Sequence, residues 1–418
     1  MVIWTHALSH LMFYGEPLIE LEEIPLPVII PFLPLILIST WAPIFALISG
    51  TASAYVTLGI VSRGKSVRKE EINKSLKNAL KGALINGILL YVVSFIHMTM
   101  FHYSLVFNGE MSRTMITGSI ELGKFILPSF DFLFFNDAIF LMAISGVIIN
   151  IILYLLWRNT GYKQIKRNYI ILTIIGVGFF ALSPCLHLLD PLFFNAIDNG
   201  QFILPAVLRI LIGHPHSTFP NAGFAFFGAI LGIAIKREIQ FKKIRNFGLI
   251  FGLGFIAVAI IIFINGDAVL GPELIGTSIP LEFHMINFGS MLIFTIALIG
   301  WIEYNDVEKR KKIAQRTIGI RRFSFIAMTG YVMETLLVII NLKWYLPLWN
   351  SDSFWIRWIE LMLFCFMQLG IWVIIVHLWE KIDFKGSYEW FVVTVGGNLR
   401  GRKSNRLNVE KVLYNPIN

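Results

Sequence analysis

Two histidine pairs stand out among the residues able to do chemistry near neutral pH: His6 with His10, and His214 with His216. Neutral imidazole enters a low-dielectric site at modest cost and still acts as a base near pH 7. His6 and His10 are four apart, so they share one helical face. That spacing suits a metal pair, but the Glu of a His-Glu-x-x-His motif is missing and no third ligand follows. No metal is expected, and interfacial histidines bonded to backbone or water compete with a catalytic pair. His214 and His216 belong to Gly213-His214-Pro215-His216-Ser217-Thr218-Phe219-Pro220. Ser217 or Thr218 is expected to cap the helix that follows, with Pro220 in its first turn. The N–H groups of such a helix start can hold an oxyanion or carboxylate. A capped helix without a ligand explains the same residues.

Other ionisable groups are single. Glu334 falls in the middle of an apolar run, one turn from Tyr331, where a carboxylate is either bonded within a bundle or part of a proton or substrate path. Arg209, Asp190, Glu282 and Glu16 lie in connections, where they line a cavity mouth or simply meet solvent.

The elements that position these groups are long and apolar. Of 418 residues, 56% are hydrophobic and 15% charged, and mean hydropathy is +0.70. A soluble domain carries about 25% charged residues. Apolar segments fall at 1–14, 35–62, 82–107, 137–157, 168–189, 220–235, 246–265, 284–302, 323–342 and 359–379. Several reach the 18 or so residues that suit a bilayer core about 30 Å thick. The expectation is an all-α polytopic membrane bundle of about ten transmembrane helices, residues 1–380, followed by a short basic tail, 381–418. Residues 1–14 are too short to span and lack the pattern of a cleavable signal, so an upstream portion is expected to be missing. Apolar pieces at 125–135 and 202–212 read as re-entrant or interfacial helices, or as loops skimming the lipid.

Charge sets an expected orientation. Alternate connections (63–81, 158–167, 236–245, 309–322 and the tail) hold 30 of the 35 Lys and Arg residues. Retention of positive charge inside places the N-terminus, the C-terminus and these loops in the cytoplasm of a multi-pass cell-membrane protein. Eight of the nine histidines, all but His377, then fall in or near the external half. The same alternation explains the net charge of +9 without nucleic acid. No Walker A loop, dinucleotide fingerprint or Gly-x-Ser-x-Gly elbow is present. Cys185 and Cys365 sit in apolar runs and suggest neither a disulfide framework nor a zinc site. Ala225, Gly228 and Gly232 form a flat helix face for tight packing, as do Gly50 and Ser53.

Four stretches resemble one superfamily. Met1-Val2-Ile3-Trp4-Thr5-His6 resembles the end of the first helix of transmembrane acyltransferases, where an Asp-x-x-Arg-Gly motif leads into an apolar run ending near His or Asn. Trp41 to Ala52 resembles their second helix, and Phe219 to Gly232 their Phe-Pro-x-x-Gly-Phe helix. Lys385-Gly386-Ser387-Tyr388-Glu389-Trp390 resembles the Gly-Pro-x-Glu-Trp element of a related bacterial membrane family. Together they are similar to the heparan-alpha-glucosaminide N-acetyltransferase-like group. The resemblance implies transfer of an acyl group from cytoplasmic acetyl-CoA or another acyl-CoA to a glycan, or other hydroxyl or amine acceptor, on the external side. His6 or His10 would act as base, with His214 and His216 completing the site, and basic loops would receive coenzyme A. The chain departs from the pattern in lacking the Asp-x-x-Arg-Gly motif and a histidine within 15–34. Two other readings remain open: a proton-coupled solute transporter built on Glu334 and the histidines, and a non-catalytic membrane scaffold.

Overall fold

The structure, a computed structural model, describes residues 3–4, 7–8, 42–62, 69–107, 110–265, 280–345, 353–401 and 408–414. It is overwhelmingly helical. Helix α1 spans Ile44–Ser62 and α2 spans Lys69–Ile96, which continues as a π turn over His97–Phe101. A hairpin of β1 (Leu105–Phe107) and β2 (Glu110–Ser112) follows, with Leu105 opposite Ser112, and then α3 (Met115–Leu122). Next come α4 (Ala138–Trp157), α5 (Ile165–His187), α6 (Asp190–Asp198), α7 (Ile203–Ile212), the single turn α8 (Thr218–Asn221) and α9 (Gly223–Lys236). The chain continues through α10 (Phe241–Asn265), α11 (Leu281–Ile302), α12 (Val307–Arg316), α13 (Ile318–Ser324), α14 (Ala327–Tyr345), α15 (Phe354–Glu380) and α16 (Tyr388–Leu399).

Eight described helices are long and apolar enough to cross a membrane, and α13 with α14, bent by 83°, makes a ninth candidate. The chain is a multi-pass membrane protein. Of the expected first segment, 1–14, residues 3–4 and 7–8 are helical and the rest lie outside the described residues. The small hairpin is the one sheet among the described residues, and an isolated bridge joins Asn136 to Pro215. The piece 202–212 forms the short apolar helix α7, whereas 125–135 is irregular apart from a 3-10 turn at Phe130–Leu133.

Two compact units emerge. One comprises Met1–Thr40, Phe95–Leu133 and Val307–Asn418; the other comprises Trp41–Ser94 and Phe134–Asp306. In the second unit α9 lies against α1, α4 and α5. Small residues allow the closest of these approaches. A Cβ on Gly50 would collide with the Ala225 carbonyl, one on Gly228 with that of Leu47, and one on Gly232 with that of Thr51. Leu58, Leu76, Leu153, Trp157, Phe226 and Ile230 fill the core around that contact. Asp137 starts α4 by accepting the Phe140 N–H at 2.7 Å and a hydrogen bond from the Ser94 hydroxyl at 2.6 Å.

In the first unit α14 packs on α3, α15, α16 and the π turn. Trp4, Ala7 and Leu8 join Val338, Leu361 and Phe364 in one cluster, and Phe325, Trp372 and Phe384 anchor another.

Candidate functional site

The strongest polar constellation is assembled by three segments of the second unit. Helix α5 ends at His187, and Pro191 restarts the chain as α6 with Asp190 in its first turn. This tight junction sets His187 and Asp190 three residues apart, with His187 Nδ1 3.0 and 2.9 Å from the two carboxylate oxygens. The second segment carries His214 and His216. Its connection to Pro215 is cis, as is that of Phe219 to Pro220. His214 Nε2 lies 3.3 Å from Asp190 Oδ1, and its ring stacks on Phe194 at 5.0 Å. The third segment is the start of α11, where buried His284 is close enough to interact electrostatically with His187, His214 and His216.

Local sequence explains how these groups are held. Phe219 precedes a proline and is therefore held extended, at φ −101° and ψ 123°. Its carbonyl turns out of the helical ladder and accepts from His187 Nε2 at 3.1 Å and from the Ser217 hydroxyl at 2.6 Å. Thr218 donates to the Ile210 carbonyl at 2.5 Å. Neither hydroxyl caps the helix, contrary to the sequence expectation: Ser217 is drawn to the Phe219 carbonyl turned out by the proline, and Thr218 to the Ile210 carbonyl in the last turn of α7.

Asn136 fixes the histidine segment from the other side. Its N–H donates to the His214 carbonyl at 2.6 Å, and its Nδ2 to the carbonyls of Arg209 and Gly213 at 2.9 and 3.1 Å. Arg209 completes the knot by donating Nε to Asn136 Oδ1 at 2.7 Å while its guanidinium lies 4.8 Å from the Phe140 ring centre. Burial pushes the Arg209 pKa down, against the pull of Tyr91 and Asp137. Arg209 is a buried clamp on the loop, and a role at a cavity mouth does not fit its 4% exposure.

Asp190 is the member that spacing alone did not single out. Burial opposes its ionisation, but its contacts with His187 and His214 outweigh that and hold the carboxyl at about 2. In the sequence Asp190 stands only as a single acid in a connection, three residues after His187. The donor atoms of His187, Asp190 and His214 all lie within 4.8 Å of one another, so these three residues also form a possible metal-ligand set. His214 is 4% exposed, whereas His216 is half-buried and more open to an incoming group.

The remaining candidates stand apart in the chain. His6, His10 and Glu16 lie outside the described residues. Glu334 is buried in α14 of the first unit, where Tyr331 of the same helix sets its ring 4.9 Å from that of His97. In the same unit Glu389 has a role that sequence reasoning missed. Its carboxylate accepts from the Met328 N–H, from the Thr329 N–H at 3.2 Å and from the Thr329 hydroxyl at 2.6 Å, at the start of α14. Ser387 caps α16 by accepting the Trp390 N–H at 3.1 Å, which aims Glu389 at that helix start. The Gly386-to-Trp390 element is thus a tie between helices. No protein-family model, no curated protein and no solved structure matches this chain.

Proposed function

We propose that this protein is a membrane acyltransferase whose reaction centre is the histidine cluster around Asp190. The observation that carries the reading is the gathering of four histidines and one ionised carboxylate from three segments of one unit. His187 ends α5, His214 and His216 lie just before α8 and α9, and His284 is in the first turn of α11, all at ends away from the basic connections 158–167 and 236–245. With positive charge retained inside, the centre is external, and the N- and C-termini are cytoplasmic in a cell membrane crossed about ten times. The resemblance of four stretches to transmembrane acyltransferases supplies the reaction class.

In this reading His216, the more open of the paired histidines, takes the proton from an acceptor hydroxyl or amine. The acceptor oxygen or nitrogen bonds to the acyl carbon, the carbon–sulfur bond breaks, and the coenzyme A thiolate leaves with the proton returned by the imidazolium. The thioester comes from cytoplasmic acyl-CoA, whose phosphates the basic loops attract while its pantetheine arm extends through the bundle to bring the thioester to the external centre, and the acceptor is a glycan or small hydroxyl or amine compound. Buried His187, Asp190 and His214 keep the segment in register and balance charge beside it. Transfer from labelled acetyl-CoA in proteoliposomes tests this. His216→Ala should lower turnover by about 10²–10⁴-fold, and turnover unchanged in His216→Ala would rule out the centre.

Buried Glu334 favours a second reading, proton-coupled transport. Solute flux that disappears in Glu334→Gln, in protein without acyl transfer, would replace the first reading with this one.

A further inference from the structure

We infer that His187, Asp190 and His214 form a binding site for a divalent transition-metal ion of the zinc type. The sequence alone gave no expectation of a metal, because none of the usual ligand motifs is present. The argument begins with a tautomer. His187 Nε2 faces the Phe219 carbonyl at 3.1 Å, and a carbonyl can only accept, so Nε2 carries a hydrogen. In neutral imidazole the Nδ1 lone pair then points at both oxygens of Asp190, at 2.9 and 3.0 Å. Three lone pairs facing one another require a positive charge among them.

A second observation points the same way. His214 Nε2 is buried with no aligned hydrogen-bond partner, although it lies 3.3 Å from Asp190 Oδ1. A single proton on His187 Nδ1 would supply that charge but would leave His214 Nε2 without an aligned partner. One divalent ion satisfies the three donors together. Around a tetrahedral ion with bonds of about 2.0–2.1 Å, ligand atoms sit roughly 3.3–3.5 Å apart. The donors here lie within 4.8 Å of one another, with their shortest separations at 2.9 and 3.3 Å.

The surroundings have the character of outer ligand support. His187 donates its other nitrogen to a backbone carbonyl, the arrangement that fixes ring orientation at metal centres. Two imidazoles with one carboxylate favour zinc, cobalt or nickel over magnesium or calcium, which prefer all-oxygen shells. Three protein ligands leave a fourth position for water or a substrate oxygen. His284, whose Nδ1 is also buried without a hydrogen-bond partner, interacts electrostatically with His187 and His214.

This inference does not depend on acyl transfer, and its test uses no acyl-CoA. Full-length protein, purified in detergent and stripped with a chelator, would be titrated with Co²⁺ and followed by visible absorption, with Zn²⁺ competition and metal content per chain as second readouts. One ion per chain is expected, with tetrahedral-type bands displaced by Zn²⁺. Asp190→Asn and His214→Asn should each weaken binding by about 100-fold or more. Stoichiometric binding that persists in both Asp190→Asn and His214→Asn, or no binding by the unmodified protein at micromolar metal, would overturn the inference. Should one variant fail to elute as folded protein, the other gives the same readout.

Discussion

Each unit holds a carboxylate among polar partners, and the two carboxylates are partnered in opposite ways. Glu389 accepts from two backbone N–H groups and a hydroxyl, all donors that never give up their hydrogens under physiological conditions. Asp190 faces two imidazoles, which donate or accept according to what else is bound. A carboxylate locked to fixed donors is a strut. One surrounded by groups of changeable protonation can hold a proton or a metal ion and release it. Burial alone does not separate the two cases; the chemistry of the partners does.

The comparison can be tested first where the effect is largest. Asp190→Asn should reduce acyl transfer in proteoliposomes by about 10²-fold or more, with the thermal midpoint moved by only a few degrees. A large loss of stability with normal turnover per folded molecule would make Asp190 a strut as well. Asn136→Ala sits between the cases, because it removes the tie that seats the His214 carbonyl and the Arg209 side chain. It should cost about 2–3 kcal/mol in denaturant unfolding and lower turnover too, whereas Asn136→Asp would set a carboxylate against two carbonyls and cost more. Glu389→Ala should cost about 1–3 kcal/mol, the penalty for leaving helix-start N–H groups without an acceptor. Turnover per folded molecule should not change, and a fall in turnover at equal stability would give the first unit a catalytic part.

The smallest effect is in pH dependence, and it has opposite signs at the two sites. Asp190 is held below its ordinary value of 3.8, at about 2, so its contribution is present above about pH 4 and lost as pH falls toward 2. Burial raises Glu389 above 4.5, against the pull of its hydrogen bonds, so its contribution is full below that value and lost as pH rises through the raised one. In chelator-treated protein the stability gap to Asp190→Asn should therefore narrow on acidification, and the gap to Glu389→Gln should widen. Parallel trends would mean that the two carboxylates are equivalent.

Much of the scaffold was legible in the sequence because hydropathy and helix length are local properties. Nine of the ten apolar segments coincide with described helices, with ends shifted by several residues where charged turns such as Lys69 to Lys81 continue a helix beyond its apolar part. The packing of Gly228 and Gly232 was legible for the same reason. The site was only partly so. His214 and His216 are two apart in sequence and were noticed, but their partner Asp190 lies on another segment, and no periodicity marks it. Asn136 and Glu389 act at contacts 73 to 78 and 60 to 61 residues away in the chain, which one-dimensional spacing does not carry. The capping expected of Ser217 failed because a proline-set backbone angle redirected a carbonyl, a competition visible only in three dimensions.

One consequence follows from the seating of α9. Its apolar stretch is 89% enclosed by protein, against 22% for α5 and α10. Its backbone rests directly on that of α1, so acyl chains have little purchase on it. The loop that carries His214 and His216 is therefore rooted in a pillar that makes little contact with lipid and is insulated from its thickness and fluidity.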